Sequence, residues 1–159
     1  MQIRQYRASD HATVVALHVS ALGATGALAR RGPWDDDLDA VEATYLRAGG
    51  DFLVGEIADR VVAMGALRRK TASVVEIKRM RVQPELQRRG YGGAMLNALL
   101  ERASDLGFTE VVLDTTTRQQ PAISFYIKHG FIEMGRESRE EMEMVFFWRL
   151  LSTGGSEPK

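Results

Sequence analysis

Residues 87–93 form the glycine-rich stretch Gln87-Arg88-Arg89-Gly90-Tyr91-Gly92-Gly93, which lies between a predicted strand, Ser73 to Val82, and a predicted amphipathic helix. Glycines let the backbone turn tightly and let a ligand approach without meeting Cβ atoms. The first N–H groups of the helix have no partner within it, and the helix dipole adds partial positive charge at that end. Because the two arginines add full charges, the stretch predicts a site for a pyrophosphate or a ribose phosphate.

The alternative for the same stretch is a plain glycine turn with solvated arginines. Two other phosphate-binding loops are excluded by spacing. No glycine stands three residues after Gly92, as the dinucleotide fingerprint requires, and no Gly-Lys-Ser/Thr follows, as the NTPase loop requires.

The hydrophobic periodicity around this stretch predicts the element order β-α-α-β-β-β-α-β-α-β-β, which is a mixed α/β fold. The second helix is predicted over 35–47, where three consecutive aspartates can cap it, and a hairpin is predicted to close the fold. The chain has no internal repeat or linker. We therefore expect one domain over 1–150 and a disordered tail over 151–159.

The composition excludes several classes of protein. The 159 residues include 21 Lys plus Arg, 21 Asp plus Glu and no cysteine. The balanced charge argues against nucleic acid or a membrane surface as the main partner. The absence of cysteine excludes disulfides, Cys-ligated zinc and a thiol nucleophile. No apolar signal region begins the sequence and no window approaches about 18 apolar residues, so a cytoplasmic protein is expected.

Three motifs in order along the chain resemble the GCN5-related N-acetyltransferases. Gln-x-x-Gly-x-Gly at residues 87–92 matches the acetyl-CoA-binding signature of that family, and Val-Gln-Pro-Glu at 82–85 precedes it. Ala122, Tyr126 and Gly130-Phe131 follow at the family spacing. The resemblance covers roughly residues 1–150. It implies a mostly antiparallel sheet with splayed central strands, flanked by about four helices.

The resemblance also implies acetyl-CoA as co-substrate, without a metal. The pantetheine arm would fill the gap between the splayed strands and bond the backbone of 80–82, while 88–93 would hold the pyrophosphate. Gln119 stands where many members have an asparagine that contacts the cofactor. The predicted cofactor-binding residues are Met80, Arg81, Val82, Gln87, Arg88, Arg89, Gly90, Tyr91, Gly92, Gly93 and Gln119.

Tyr126 matches the family's tyrosine acid. A tyrosine with an ordinary pKa of about 10 is protonated at neutral pH and can donate to a thiolate whose ordinary pKa is about 8.5. The backbone N–H near Met80 or Arg81 would polarise the thioester oxygen, as the resemblance implies. The alternative for Tyr126 is a half-buried helix residue beside Phe125.

Glu76 is the predicted base, because several members carry a glutamate at this place on the corresponding strand. A buried carboxylate can have its pKa raised enough to accept an ammonium proton through water. Two alternatives remain: Glu76 pairs with Lys70 or Arg68, or a water chain replaces a dedicated base.

These features together predict an N-acetyltransferase that moves an acetyl group directly to a primary amine of a small molecule or a polypeptide. The alternative is a non-catalytic acyl-CoA-binding sensor or scaffold. Phe146, Phe147 and Trp148 form a core strand or a dimer contact, so a homodimer is also considered. Residues 68–89 carry eight cations against two acids, and 35–59 carry eight acids against one cation. The acidic segment either attracts a cationic amine or is simply solvated.

Overall fold

The computed structural model of the chain describes residues 1–24 and 33–152, and among these the side chains of 1–20 and 36–152. Most of the predicted tail, from residue 153 onward, lies outside the described residues. The main elements are β1 (Gln2–Gln5), α1 (His11–Ala24), β2 (Asp51–Ile57), β3 (Arg60–Arg69), β4 (Val74–Val82), α2 (Tyr91–Asp105), β5 (Glu110–Thr116), α3 (Gln120–Lys128), β6 (Ile132–Arg139) and β7 (Met142–Leu150).

The strands form one seven-stranded sheet in the order β1-β2-β3-β4-β5-β7-β6. Every neighbouring pair is antiparallel except β4 and β5, which run parallel. The predicted mixed α/β class with a mostly antiparallel sheet is therefore confirmed. The helix predicted over 35–47 is present as a 3-10 segment, Pro33–Asp39, followed by a π-helical segment, Glu42–Leu46.

Two apolar clusters cover opposite faces of the sheet. On one face, α2 and α3 pack on the central strands through side chains such as Leu99 and Ile123. On the other face, α1 and the Pro33–Leu46 region pack on β2 and β3, through Val14 and Tyr45 among others. The second cluster contains no residue of β5, β6 or β7, so this half of the sheet face stays open on the described part of the chain.

A bulge interrupts β4. Its pairing with β3 steps from Met64↔Arg81 to Ala66↔Lys78, so that β4 has one residue more than β3 between these pairs. Arg79 lies in this bulge with φ of 58°, a left-handed backbone conformation. Because side chains alternate along a strand, one extra residue exchanges the two faces.

The central strands splay beyond the bulge. β4 and β5 are paired only from Val74↔Glu110 to Glu76↔Val112, although β4 continues to Val82 and β5 to Thr116. The predicted splayed centre of the sheet is therefore confirmed. None of the described helices has the length and apolar character needed to cross a membrane.

Candidate active site

The glycine turn, residues 87–93, leads from β4 to the first residue of α2. Gly90 immediately precedes the helix with φ of 87°, and a Cβ added there would meet no atom within 4 Å. An L-residue is strained in this conformation, so the turn geometry accounts for glycine at this position. Arg88 also adopts a positive φ, of 63°. The turn thus presents an uncrowded helix N-terminus to its surroundings.

A cavity of about 560 Å³ lies against this turn. We call it the turn cavity. Seven of the predicted cofactor-binding residues line it: Met80, Val82, Gln87, Arg88, Gly90, Gly92 and Gly93. Its remaining wall comes from α3 and the residue after it, including Phe125, Lys128 and His129. None of these three was predicted as a site residue, because nothing in the sequence indicates that α3 packs beside the start of α2.

A second cavity, of about 230 Å³, lies between the splayed parts of β4 and β5. We call it the strand gap. Arg81 and Gln119, both predicted cofactor contacts, line this gap and not the turn cavity. Arg89 and Tyr91 line neither cavity. The predicted cofactor-binding residues are therefore divided between the turn cavity and the strand gap, and Arg89 and Tyr91 lie outside both.

The edge of β4 that faces the gap has no strand partner after Glu76. Two carbonyl groups on this stretch accept hydrogen bonds from side chains. Arg81 Nη1 donates to the Met80 carbonyl over 2.8 Å, and Gln87 Nε2 donates to the Val82 carbonyl over 3.2 Å. Gln87 therefore ties the glycine turn to the end of β4, which is a positioning contact.

Tyr126 lines both the turn cavity and the strand gap. Its hydroxyl lies 3.9 Å from Met80 Sδ, and its ring packs edge-on against Phe125 and Phe131. Burial raises the pKa of Tyr126 to about 12, although the charge of Arg81 opposes part of the rise. The hydroxyl therefore stays protonated at neutral pH and can act as a hydrogen-bond donor inside the gap.

Thr116, at the end of β5, provides a second polar group in the gap. Its Oγ1 atom is buried and has no hydrogen-bond partner within the described part of the chain. Buried hydroxyls in proteins are nearly always hydrogen-bonded, so an unpaired one at a cavity wall fits a polar ligand group that reaches this point. The gap thus offers donors and acceptors that a polar, amide-containing arm could satisfy.

His129 forms the end of the turn-cavity wall. Its Nδ1 is 2.8 Å from the Phe125 carbonyl, which accepts the bond, so this nitrogen carries the proton. The other ring nitrogen, Nε2, lies 3.6 Å from the position that a Cβ on Gly93 would occupy. From its position at the end of a helix, such a histidine is expected to have only a structural role. The structure shows a contact with the Phe125 carbonyl of that helix and also places the ring beside the glycine turn.

Glu76 lies on the opposite face of the sheet from the turn cavity. Its side chain lines a third cavity, of about 600 Å³, and is absent from the lining of the strand gap. We call this cavity the open groove. Lys70 Nζ lies 3.8 Å from Glu76 Oε1, which is one of the pairings considered for this carboxylate. Asp114, which the sequence analysis did not single out, lines both the gap and the groove.

The bulge of β4 is fixed by an ion pair with the segment that precedes β2. The Arg79 guanidinium donates to both carboxylate oxygens of Asp37, at 2.6 Å and 3.0 Å, and the Tyr45 hydroxyl also donates to Asp37. Burial alone would raise the pKa of Asp37, but the hydrogen bonds from Arg79 and Tyr45 outweigh it and hold the pKa below its usual value. Asp37 therefore stays ionised.

Across residues 1–24 and 33–152, no group of three His, Asp or Glu side chains is arranged to hold an ion. The ionisable side chains that line the three cavities include Glu76, Asp114 and Tyr126.

Sequence comparison identifies relatives of the chain. Residues 22–131 match the family described as acetyltransferase (GNAT). N-acetyltransferase 8F1 of Rattus norvegicus is 32% identical over 120 residues, covering 72% of this chain and 52% of the relative. N-acetyltransferase 8 of Homo sapiens is 35% identical over 107 residues, covering 63% and 47%. The chain thus spans about half the length of the curated relatives it matches.

Structural comparison gives the same fold. An acetyltransferase of the GNAT family from Staphylococcus aureus Mu50 superposes with a TM-score of 0.86 at 20% identity, covering 95% of this chain and 99% of the other. The acetyltransferase yncA from Salmonella typhimurium, described as putative and solved with its cofactor acetyl-CoA, gives 0.79 at 22% identity, covering 100% and 98%. Because the family match extends over more than half of the chain, the chain belongs to the acetyltransferase (GNAT) family.

Proposed function

We propose that this chain is an acetyl-CoA-dependent N-acetyltransferase that moves an acetyl group directly to a primary amine. The observation that carries the proposal is the placement of Tyr126, whose side chain lines both the turn cavity and the strand gap. A residue at this junction can contact both the arm of a ligand held at the glycine turn and the acyl group at the end of that arm. When bound, acetyl-CoA would supply an acetyl group activated as a thioester.

The residues divide into those that hold the cofactor and those that act on the reaction. Arg88 and the N–H groups that follow Gly90 would bind the pyrophosphate at the start of α2. The backbone of 80–82 has no strand partner on the side of the gap and would bond the pantetheine amides there as an added strand, in exchange for the side-chain contacts of Arg81 and Gln87. The Tyr126 hydroxyl would donate a hydrogen bond toward the departing sulfur, and a backbone N–H near Met80 would stabilise charge on the carbonyl oxygen.

The cofactor site can be tested with the glycine at the second position of α2. A Cβ on Gly92 would lie 3.9 Å from Phe125 and Val82, which is ordinary contact distance. Because alanine favours helix by up to about 1 kcal/mol over glycine, Gly92→Ala should leave the unliganded protein as stable or more stable. The added methyl group would occupy the cavity wall, so heat stabilisation by acetyl-CoA should shrink.

The matched control for this test is Asn97→Ala, an exposed position on the same helix. Melting temperatures of both variants are measured with and without saturating acetyl-CoA. Equal ligand-induced shifts in the two variants would place the cofactor elsewhere. No shift in the unsubstituted protein would contradict the cofactor proposal altogether.

The base is proposed to be Glu76 acting through water that reaches the gap from the open groove. Glu76→Gln removes the carboxylate, and loss of a general base costs about 10²-fold or more in rate. Lys70→Gln is the matched control, because it removes the ion pair and leaves the carboxylate. Steady-state acetyl transfer should fall far more for Glu76→Gln than for Lys70→Gln. Equal losses of rate in the two variants would show that Glu76 acts only as a structural ion-pair partner. The proton acceptor would then be water or Asp114.

A non-catalytic acyl-CoA-binding module is the rival function. It predicts heat stabilisation by acetyl-CoA without consumption of the thioester in the presence of amino acids, polyamines, aminoglycosides or short peptides. Consumption with any of these amines, above the rate without an amine, would decide for the enzyme.

A further inference from the structure

The open groove lies directly beyond the strand gap. It shares Lys78 and Asp114 with the gap, and the gap in turn shares Met80 and Tyr126 with the turn cavity. The three spaces therefore adjoin one another across the sheet, from the face that carries α2 to the opposite face. A molecule in the groove can direct a group into the gap without crossing the glycine turn.

The floor of the groove is apolar and aromatic. Val112 pairs with Trp148 and Asp114 with Phe146 in the sheet, so these four side chains stand together on one face. Phe146 and Trp148 are half-buried. The groove volume of about 600 Å³ falls within the range of about 300–1,000 Å³ typical of sites for small organic ligands. The floor suits a flat or otherwise apolar body.

The rim of the groove carries an excess of cations. Arg68, Lys70, Lys78 and Arg139 line it, against the acids Glu76 and Asp114. Glu76 is already within ion-pair distance of Lys70. Arg139 lies over the ring of Phe146, with its guanidinium carbon 5.3 Å from the ring centre. A cationic rim of this kind favours a ligand that carries negative charge.

The acidic segment 35–59 does not offset this excess. Asp37 is paired with Arg79, Asp51 with Arg102 and Glu56 with Arg4. Its most buried charges are therefore used to hold elements together. Within the described part of the chain, no residue of this segment is among the side chains that line the open groove, so its remaining acids do not change the sign of the charge at the rim.

From these observations we infer that the acceptor is a small amine that also bears an anionic group and an apolar body, as an aromatic α-amino acid does. The inference rests on the proposed function, because it assigns the acceptor of the same site. The anion lies among Arg68, Lys78 and Arg139, and the apolar body lies on Phe146 and Trp148. The amine then points past Asp114 into the gap, where its proton can leave to water or a carboxylate as the carbon–nitrogen bond forms and the carbon–sulfur bond breaks.

The test uses four probes: phenylalanine, its neutral amide phenylalaninamide, glycine and spermidine. Binding to the full chain saturated with CoA is measured by calorimetry, and acetyl transfer is measured separately. Loss of one charge-assisted contact corresponds to about tenfold in affinity or more. Phenylalanine should therefore bind at least about tenfold more tightly than its amide, and more tightly than glycine or spermidine.

Two variants locate the effect. Arg68→Glu should abolish the preference for phenylalanine over the amide, whereas Arg60→Glu, an exposed change away from the groove, should retain it. Absence of phenylalanine binding, or tighter binding of spermidine or of the amide, overturns the inference even if acetyl transfer is observed. Binding with the expected order but no transfer to any amine supports the groove assignment and contradicts the proposed enzymatic function.

Discussion

Replacing Tyr126 with phenylalanine is expected to lower kcat by about 10²-fold or more, the usual cost of losing a general acid. The change deletes a hydroxyl whose described contact is weak, at 3.9 Å from Met80 Sδ. The ring keeps its packing against Phe131 and Phe147. Melting temperature and its rise with acetyl-CoA should therefore be nearly unchanged, which separates a loss of chemistry from a loss of fold.

The pH dependence of kcat provides a second test of the role of Tyr126. Because burial raises the pKa of Tyr126 to about 12, its hydroxyl remains a donor throughout the neutral and moderately alkaline range. Any change of kcat with pH in the range below about pH 11 therefore comes from the titration of another group. The Tyr126→Phe variant should show the same pH dependence of kcat, at a lower overall rate. Tyr6→Phe, in the apolar cluster on the other sheet face, is the matched control. If both variants retain full turnover, Tyr126 is not the acid.

Asp37→Ala is expected to lower the free energy of unfolding by about 3–5 kcal/mol, the cost of leaving one member of a buried ion pair without its partner. The side chains of Arg79 and Asp37 are 11% and 8% exposed, so water can compensate little. The change also removes the acceptor of the Tyr45 hydroxyl, which is itself buried. Urea unfolding monitored by circular dichroism measures the effect.

The neighbouring Asp36→Ala is the control, because Asp36 is exposed and substitutions at such positions usually change stability by about 0.5 kcal/mol or less. A double variant, Asp37→Ala with Arg79→Met, should recover part of the lost free energy of unfolding, because it also removes the charge that Asp37→Ala leaves without a partner. The stability changes of residues in direct contact are not additive. If Asp37→Ala is no more destabilising than Asp36→Ala, the ion pair does not hold the bulge in place.

Local patterns in the sequence predicted the parts of the site that depend on neighbouring residues. The glycine turn depends on Gly90 before α2, a short-range feature with a known physical basis. Periodicity and turn residues predicted the order of the elements along the chain and the mixed α/β class. The mostly antiparallel sheet and the choice of Tyr126, from its spacing to Gly130 and Phe131, were implied by the resemblance to the acetyltransferase family.

The features that the sequence did not predict all depend on distant contacts. Arg79 adopts a left-handed conformation without being a glycine, and its partner Asp37 is 42 positions away. The same contact lies within the region where a regular helix was predicted and where 3-10 and π segments are present. Likewise, the open groove exists because β5 and β7 pair beside β4, which no local pattern records.

The bulge at Arg79 has a consequence for how this chain can evolve. Val75 and Ile77 before the bulge, and Met80 and Val82 after it, all pack on the same cluster, because the extra residue shifts the alternation of side chains by one position. Amino-acid exchanges within β4 at positions other than Arg79 leave this phase intact. Deletion or insertion of a single residue there would turn every later side chain of the strand to the opposite face. Divergence of β4 should therefore proceed by substitution at constant length, while loops such as the β6–β7 turn are free to change length.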